Sequence, residues 1–267
     1  MDFGQKRILL GIDLEEFDIP EEYGQTLSLK EKCSITSGGL AILEPLLEKH
    51  GIHATFFTTA WWAQQGKLKV RELARNHEIA SHGFFHNYFE FHHLRQSREL
   101  LSEFSGQEVI GLRVPRMTCL PYDEIAEAGY LYDSSLNPTY LPNRYNHFRE
   151  PRNIFFRDGI YEMPASVSRN LRIPLFWLSF KNLPFLYYTL LCDRVLREIG
   201  YLIIYLHPWE FMDLSGYQMP WYVKRRAGSA MAQRTDRLFS YLAKVGVFIT
   251  HRQMVSILSE EDQGLKS

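Results

Sequence analysis

Two histidines four residues apart, His82 and His86 in Ser81-His82-Gly83-Phe84-Phe85-His86, are the side chains best suited by type and spacing to hold a metal ion. At i and i+4 on one helical turn both imidazoles face the same way and can ligate a single divalent cation. An acidic cluster far upstream, Asp13-Leu14-Glu15-Glu16, offers carboxylates. On a strand, Asp13 and Glu15 share a face, because side chains alternate with period two. Two imidazoles and two carboxylates at one point give three ligands and a spare base, a set suited to metal-assisted hydrolysis. A His-x3-His pair is common by chance in a chain with 10 histidines, so its weight depends on the residues that accompany it.

The elements that must position these residues alternate along the chain. Ile8 to Asp13 is a short apolar run ending in acids, which reads as a buried strand with charge at its carboxy end. Ser37 to Lys49 reads as a helix closed at His50-Gly51, and Ala54 to Thr58 as a second strand. Leu68 to Asn76 is helical in pattern, and Glu78 to Ser81 is a strand that delivers His82. His93 to Phe104 is an amphipathic helix, Val109 to Arg113 a strand, and Tyr122 to Ala128 a helix. Further strands are expected at Tyr161 to Pro164, Tyr201 to Leu206 and Val247 to Thr250, with helices at Thr235 to Lys244 and Arg252 to Ser259.

Such alternation implies a parallel sheet with helices outside. In one domain spanning 1–267 it favours a closed, distorted (β/α) barrel of about seven strands, similar to a TIM barrel. Asp13, His82, Arg113 and His207 each fall at or just past the carboxy end of a strand, the rim where barrel active sites gather. Asn137 to Asp158, with three prolines, reads as a long loop over that rim.

Composition narrows the classes of function. A net charge of -1 with no long basic run gives no sign of nucleic-acid binding. The tight cluster Lys224-Arg225-Arg226 is read as a solvated helix start. Cys33, Cys119 and Cys192 form no CxxC pair, which fits a reducing compartment. The N-terminus runs from Met1-Asp2-Phe3-Gly4 towards a strand with no leader-like apolar stretch, so a cytoplasmic protein is expected. Leu171 to Leu191 is rich in Leu, Phe, Trp and Tyr, but Arg172, Pro174, Lys181 and Pro184 interrupt it. That argues against a spanning helix and for a loop and helix packed on the core. The alternative is a surface that meets a membrane interface or a lipid-linked substrate.

Five blocks together resemble the polysaccharide deacetylase (NodB-homology) superfamily of metal-dependent carbohydrate N-deacetylases, in order and approximate spacing. They are Gly11-Ile12-Asp13-Leu14-Glu15-Glu16, Ser81-His82-Gly83-Phe84-Phe85-His86, Arg113-Val114-Pro115-Arg116, Tyr132-Asp133-Ser134-Ser135 and Leu206-His207-Pro208-Trp209-Glu210. His53-Ala54-Thr55-Phe56-Phe57 adds a strand that follows the first helix. The first block departs from the commoner form with two adjacent aspartates. Its Asp-x-Glu-Glu pattern is similar to a branch holding exopolysaccharide-locus deacetylases and cofactor-free allantoinases. Strand parity puts Asp13 and Glu15 on one face and Glu16 on the other; the resemblance then implies Asp13 as general base and Glu15 as metal ligand, with Glu16 in the place of Glu15 if the strand ends in a bulge.

The resemblance implies a divalent metal held by Glu15, His82 and His86, with Zn2+ first and Co2+, Ni2+ or Fe2+ also compatible with the ligands. It implies that Asp13 takes a proton from the attacking water, that His207 protonates the departing amine, and that Arg113 pairs with Asp13. Asp133 would orient a partner or His207, and Trp209 could stack on a sugar ring. The expected substrate is an acetamido sugar, nucleotide- or lipid-linked, in surface polysaccharide (O-antigen or exopolysaccharide) biosynthesis. A cyclic-amide amidase of allantoinase type and a non-catalytic carbohydrate-binding barrel are the alternatives. His50, His53, His77, His92, His93, His147 and His251 lie outside the blocks and read as surface or core histidines.

Overall fold

The computed structural model describes residues 5–142 and 144–264; Met1 to Gly4, on which part of the N-terminal reading rests, lie outside them. The strands are β1 (Arg7–Leu14), β2 (Thr55–Thr58), β3 (Glu78–Ser81), β4 (Gly111–Leu112), β5 (Tyr132–Asp133), β6 (Tyr140–Leu141), β7 (Tyr145–Asn146), β8 (Phe155–Arg157), β9 (Ile160–Glu162), β10 (Tyr201–Leu206) and β11 (Val247–Ile249). The helices are α1 (Leu29–Lys49), α2 (Ala60–Gln65), α3 (Lys67–Leu73), α4 (His92–Ser105), α5 (Tyr122–Glu127), α6 (Trp177–Asn182), α7 (Phe185–Ile199), α8 (Trp221–Lys224), α9 (Ser229–Val245) and α10 (His251–Gly264).

One 9-stranded sheet runs in the order β10-β1-β2-β3-β4-β5-β9-β8, and all its pairings are parallel except that of β8 with β9. β1 is its axis. It pairs with β10 along one edge from Arg7 to Ile12. Along the other edge it pairs first with β11, from Arg7 to Leu9, and then with β2, from Gly11 to Leu14. No ladder joins β9 to β10 among the described residues. That gap is bridged where the Ser166 N–H donates to the Ile203 carbonyl (2.9 Å) and the Ile203 N–H donates to Ser166 Oγ (2.9 Å). The sheet is therefore a curled half-barrel, the distorted form of the expected (β/α) barrel, and not a fully laddered closed one.

Parity along the strands decides what faces inward. Ile8, Leu10, Ile12 and Leu14 of β1 pack outward against the helices, whereas Leu9 joins the interior cluster with Phe57, Ala80, Tyr132 and Ile203. By the same alternation Gly11 and Asp13 face the interior. In β10, Leu202, Ile204 and Leu206 pack outward, and Tyr201 and Ile203 inward. Burial of the outward set against amphipathic helices stabilises the fold by about 25 cal/mol per Å² of apolar surface removed from water.

Several expectations need correction. α1 begins at Leu29 and not at Ser37, because Ser28 Oγ accepts the Glu31 N–H (3.2 Å) and caps an earlier turn. His82 to His86 form an irregular loop and no helical turn, with Gly83 at φ +74°. The expected long loop from Asn137 contains the β6–β7 hairpin and β8. Lys224-Arg225-Arg226 does not start a helix: Lys224 ends α8, and the Arg226 N–Hs turn back to the Lys181 carbonyl.

Candidate active site

Asp13 and Glu15 leave the carboxy end of β1 with the same parity, so both enter one pocket of about 540 Å³ with His82, His86 and His207. His82 follows β3 directly, Arg113 follows β4, and His207 follows β10. All of these side chains sit on the interior face of their strand or its immediate extension. The loop from His82 to His86 then folds back, which brings two imidazoles of one short segment to the same carboxylate.

Glu15 Oε2 lies 3.0 Å from His82 Nε2 and 3.1 Å from His86 Nε2. One ligand atom from each of Glu15, His82 and His86 falls within 4.8 Å of the other two. His82 Nδ1 faces the Arg113 carbonyl at 2.6 Å, an acceptor only, so that nitrogen carries the hydrogen. A neutral His82 then points a lone pair at a carboxylate oxygen. His86 has the same problem, since its Nδ1 faces Asp18 Oδ1 at 2.7 Å. A proton or a cation must lie among these acceptors. Burial works against charge on both Glu15 and His86, yet their mutual attraction wins and holds the Glu15 carboxyl well below the usual range and the His86 ring well above it.

This donor set fits a divalent metal. Two imidazole nitrogens and one carboxylate oxygen, with each imidazole anchored through its far nitrogen, match the ligand and outer-partner pattern of zinc sites. Cobalt, nickel and iron accept the same donors. Glu16 does not join them. It points away, accepts a hydrogen bond from Thr59 Oγ1 (3.0 Å), and burial raises its carboxyl. β1 pairs with β2 in regular register through Leu14, and the Thr36 hydroxyl donates to the Glu15 carbonyl (2.7 Å) just beyond the strand's end.

Asp13 sits beside this cluster. Its Oδ1 accepts Arg113 Nη1–H (2.7 Å), while its Oδ2 is 3.7 Å from His207 Nε2. Arg113 is fully buried, with Nε donating to the Ser134 carbonyl (3.1 Å) and Nη2 to Ser134 Oγ (3.0 Å). It also lies over the rings of Phe57 (4.0 Å) and Tyr205 (4.8 Å). Gly11 is required here, since a Cβ on it would approach Arg113 Nη1 to 2.5 Å.

His207 is held from behind by Glu210, whose Oε1 accepts the His207 backbone N–H (2.9 Å) and lies 3.2 Å from Nδ1. Glu210 Oε2 is in turn 3.2 Å from the Nζ of buried Lys181. Burial alone would lower the His207 ring, but Glu15, Glu210 and Asp13 together raise it above its ordinary value. These carboxylates favour a proton on His207, whose Nε2 faces Asp13 and the pocket.

Two residues sit differently from expectation. Asp133 does not reach His207. It accepts the Ser135 hydroxyl (2.5 Å) and hydrogen-bonds Glu162, one layer away from the pocket, and the orienting role for His207 belongs to Glu210. Trp209 offers no face to a sugar: it is fully buried, stacks on His207 (4.8 Å, 27°) and donates Nε1–H to Glu15 Oε1 (3.0 Å). Asp18, Lys181 and Glu210 are partners that motif reading missed or took as wall residues. Their signal was faint, an acid three residues after Glu15 and a cation inside an apolar run. The aromatic wall falls to Tyr145, Trp177 and Tyr205.

Residues 39–128 match the family model described as polysaccharide deacetylase, a span that contains His82, His86 and Arg113 but not Asp13 or His207. No curated protein matches the chain by sequence. Among solved structures, the chain is similar to a Mycobacterium smegmatis protein assigned as a polysaccharide deacetylase, at 18% identity over 97% of this chain and 92% of that one, TM-score 0.64. The Puue allantoinase aligns at 17% identity over 92% and 88%, TM-score 0.62. A Pseudomonas aeruginosa PAO1 protein with the same deacetylase assignment aligns at 15% identity over 93% and 89%, TM-score 0.59. At such identities the likeness establishes the fold. Residues 39–128 thus match the polysaccharide deacetylase family model, and the chain as a whole shares its fold with these solved structures.

Proposed function

We propose that the protein is a metal-dependent hydrolase that removes an N-acyl group from an amino sugar. The observation that carries this reading is the convergence of Glu15, His82 and His86 on one point, with Asp13 and His207, 3.7 Å apart, in the same pocket.

Glu15, His82 and His86 would hold the metal. When bound there, a divalent ion supplies Lewis-acid polarisation of an amide carbonyl and lowers the pKa of a water. The protein's own groups handle the protons. Arg113 occupies Asp13 Oδ1 and leaves Oδ2 facing the pocket, placed to accept the proton of an attacking water. The water oxygen bonds to the carbonyl carbon, and the carbon–nitrogen bond then breaks. An amide anion is a very poor leaving group, so the nitrogen needs a proton as it departs. His207, kept protonated by its carboxylate neighbours and aligned by Glu210, is placed to give it. The products are a carboxylate and a free amine.

The aromatic wall of Tyr145, Trp177 and Tyr205 suits the apolar face of a sugar ring. A panel of acetamido sugars, free, nucleotide-linked and lipid-linked, tests the reading by acetate release. If wild type and Asp13→Asn release equal acetate from every member, the assignment fails. Ring opening of a cyclic amide that survives a chelator would instead favour an amidase, the activity named for the Puue allantoinase whose fold this chain shares.

A further inference from the structure

Beside the pocket mouth lies a surface that hydrolysis does not use. Trp221 and Tyr222 of α8 are 68% and 40% exposed, and Leu186 of α7 is 80% exposed. Asn182 Nδ2 donates to the Tyr222 carbonyl (2.9 Å), and Lys181 Nζ donates to the Val223 carbonyl (3.0 Å), which tie the end of α6 to α8. Only Leu183 and Pro184 separate α6 from α7. Leu190 stands one turn along α7 from Leu186 on the same outward stripe, and Arg194 follows it.

The segments that form the patch carry more cations than acids. From Leu171 to Cys192 and from Leu214 to Thr235 there is no Asp or Glu, whereas the same stretches hold Arg172, Lys224, Arg225, Arg226 and Arg234 besides the buried Lys181 that pairs with Glu210. The exposed Arg225 guanidinium lies 5.8 Å from the Trp221 ring centroid, and Arg237 lies 4.4 Å from that of Phe185. On a chain with net charge -1 this is a local excess of cations interleaved with exposed aromatic and aliphatic side chains. No helix among the described residues is long and apolar enough to cross a membrane. Exposed Trp, Tyr and Leu ringed by Arg and Lys is the chemistry of the bilayer interface, where rings sit at headgroup depth and cations meet lipid phosphates.

We propose that α8 and the outer stripe of α7 form an interfacial docking surface for an anionic lipid bilayer. The pocket opens along its border, since Tyr222 and Val223 line the cavity with Trp177 and Leu178, and Tyr222 hydrogen-bonds Tyr23 across the mouth. If the deacetylation reading also holds, this placement suits a substrate whose carrier stays in the bilayer; docking itself does not depend on that reading.

Vesicle flotation of the full chain tests the surface. The expected result is co-flotation with vesicles rich in phosphatidylglycerol, none with pure phosphatidylcholine, and release as salt is raised. Leu186→Ala with Trp221→Ala should abolish flotation, and Lys224→Gln with Arg225→Gln should lower affinity about fivefold per charge removed. Circular dichroism and metal content equal to wild type would show that these variants fold. Failure of folded wild type to float overturns the proposal, as does flotation that these variants leave intact. A concentration-dependent dimer lost in the same variants would assign the surface to a second copy instead. Hydrolysis of a water-soluble substrate reads the deacetylation separately, so either idea can fail alone.

Discussion

His86 stands between two carboxylates, with Nδ1 2.7 Å from Asp18 Oδ1 and Nε2 3.1 Å from Glu15 Oε2. Asp18 also lies 3.4 Å from Arg116 Nη2 and is almost fully buried. In the proposed metal site Asp18 would be the outer partner that fixes the His86 ring and strengthens it as a ligand. Asp18→Ala should therefore weaken metal affinity about 10–100-fold while leaving the fold intact. Competition titration against a chelator of known affinity measures it, and an unchanged affinity would remove Asp18 from the site.

The ligand set predicts a clean division between neighbouring acids. Wild type should carry about one divalent ion per chain, and Glu15→Ala and His82→Ala should lose it. Glu16→Gln should keep it, because Glu16 turns towards Thr59. Plasma mass spectrometry of the purified proteins decides this. Stripping the metal should also lower the melting temperature, since a ligand that binds only the native state at about 100 times its Kd adds about 2.7 kcal/mol.

In the proposed reaction His207 acts protonated, and its carboxylate neighbours raise its pKa, so activity should decline as pH rises through the value of the folded state. Glu210 is one of the groups that raise it. Glu210→Gln keeps an acceptor for Nδ1–H but removes the charge, so the alkaline limb of kcat should move to lower pH. The same variant leaves the buried Lys181 ammonium without its counter-charge, at a cost of about 3–5 kcal/mol in stability. A pH–rate profile with an unmoved alkaline limb would deny Glu210 its hold on His207.

Asp133 and Glu162 form a buried carboxyl pair away from the metal cluster. Burial pushes Asp133 up to about 6 and raises Glu162 well above the usual range, and the two share a proton. The folded protein thus binds protons at this pair that the unfolded chain has already released, so the pair's contribution to stability is fully present below the unfolded carboxylate range and is lost as pH rises through about 6 and beyond. Glu162→Gln should flatten that decline relative to wild type. Thermal melts between about pH 4 and 8 measure it, and parallel curves for the two proteins would contradict it.

α1 approaches the turn after His207 so closely that a Cβ at Gly39 would lie 1.7 Å from the Pro208 carbonyl oxygen. Gly39→Ala should cost about 1–3 kcal/mol by overpacking. It should also lower kcat more than stability alone explains, because the turn that carries His207 must shift. Equal kcat at a temperature where both proteins are folded would show that the turn absorbs the methyl group.

Much of the site was legible in local pattern. Asp13, Glu15, His82, Arg113 and His207 could be placed at strand ends by alternation, because a strand facing one interior repeats every second residue. The same rule chose Glu15 over Glu16, and the structure keeps that parity through Leu14. Fold class followed from strand and helix alternation for the same reason: each element buries one face against its neighbours, and that face is written in residue order.

What tertiary structure decided are contacts between segments with no shared period. His82 and His86 meet through an irregular loop and not a helix, and only the folded path of residues 82–86 shows that both rings reach Glu15. Trp209 had the type of a sugar-stacking residue, yet its distance in space, not in sequence, made it a donor to Glu15. Lys181 and Glu210 are 29 positions apart in the chain and 3.2 Å apart in the fold. Of the two roles expected for Asp133, orienting a partner or His207, the contact with His207 is made instead by Glu210, three residues further along the chain from His207, while Asp133 bonds Ser135. Periodicity reports which face a side chain takes; which partner waits on that face depends on loop closure and packing across the barrel, and these no local spacing encodes.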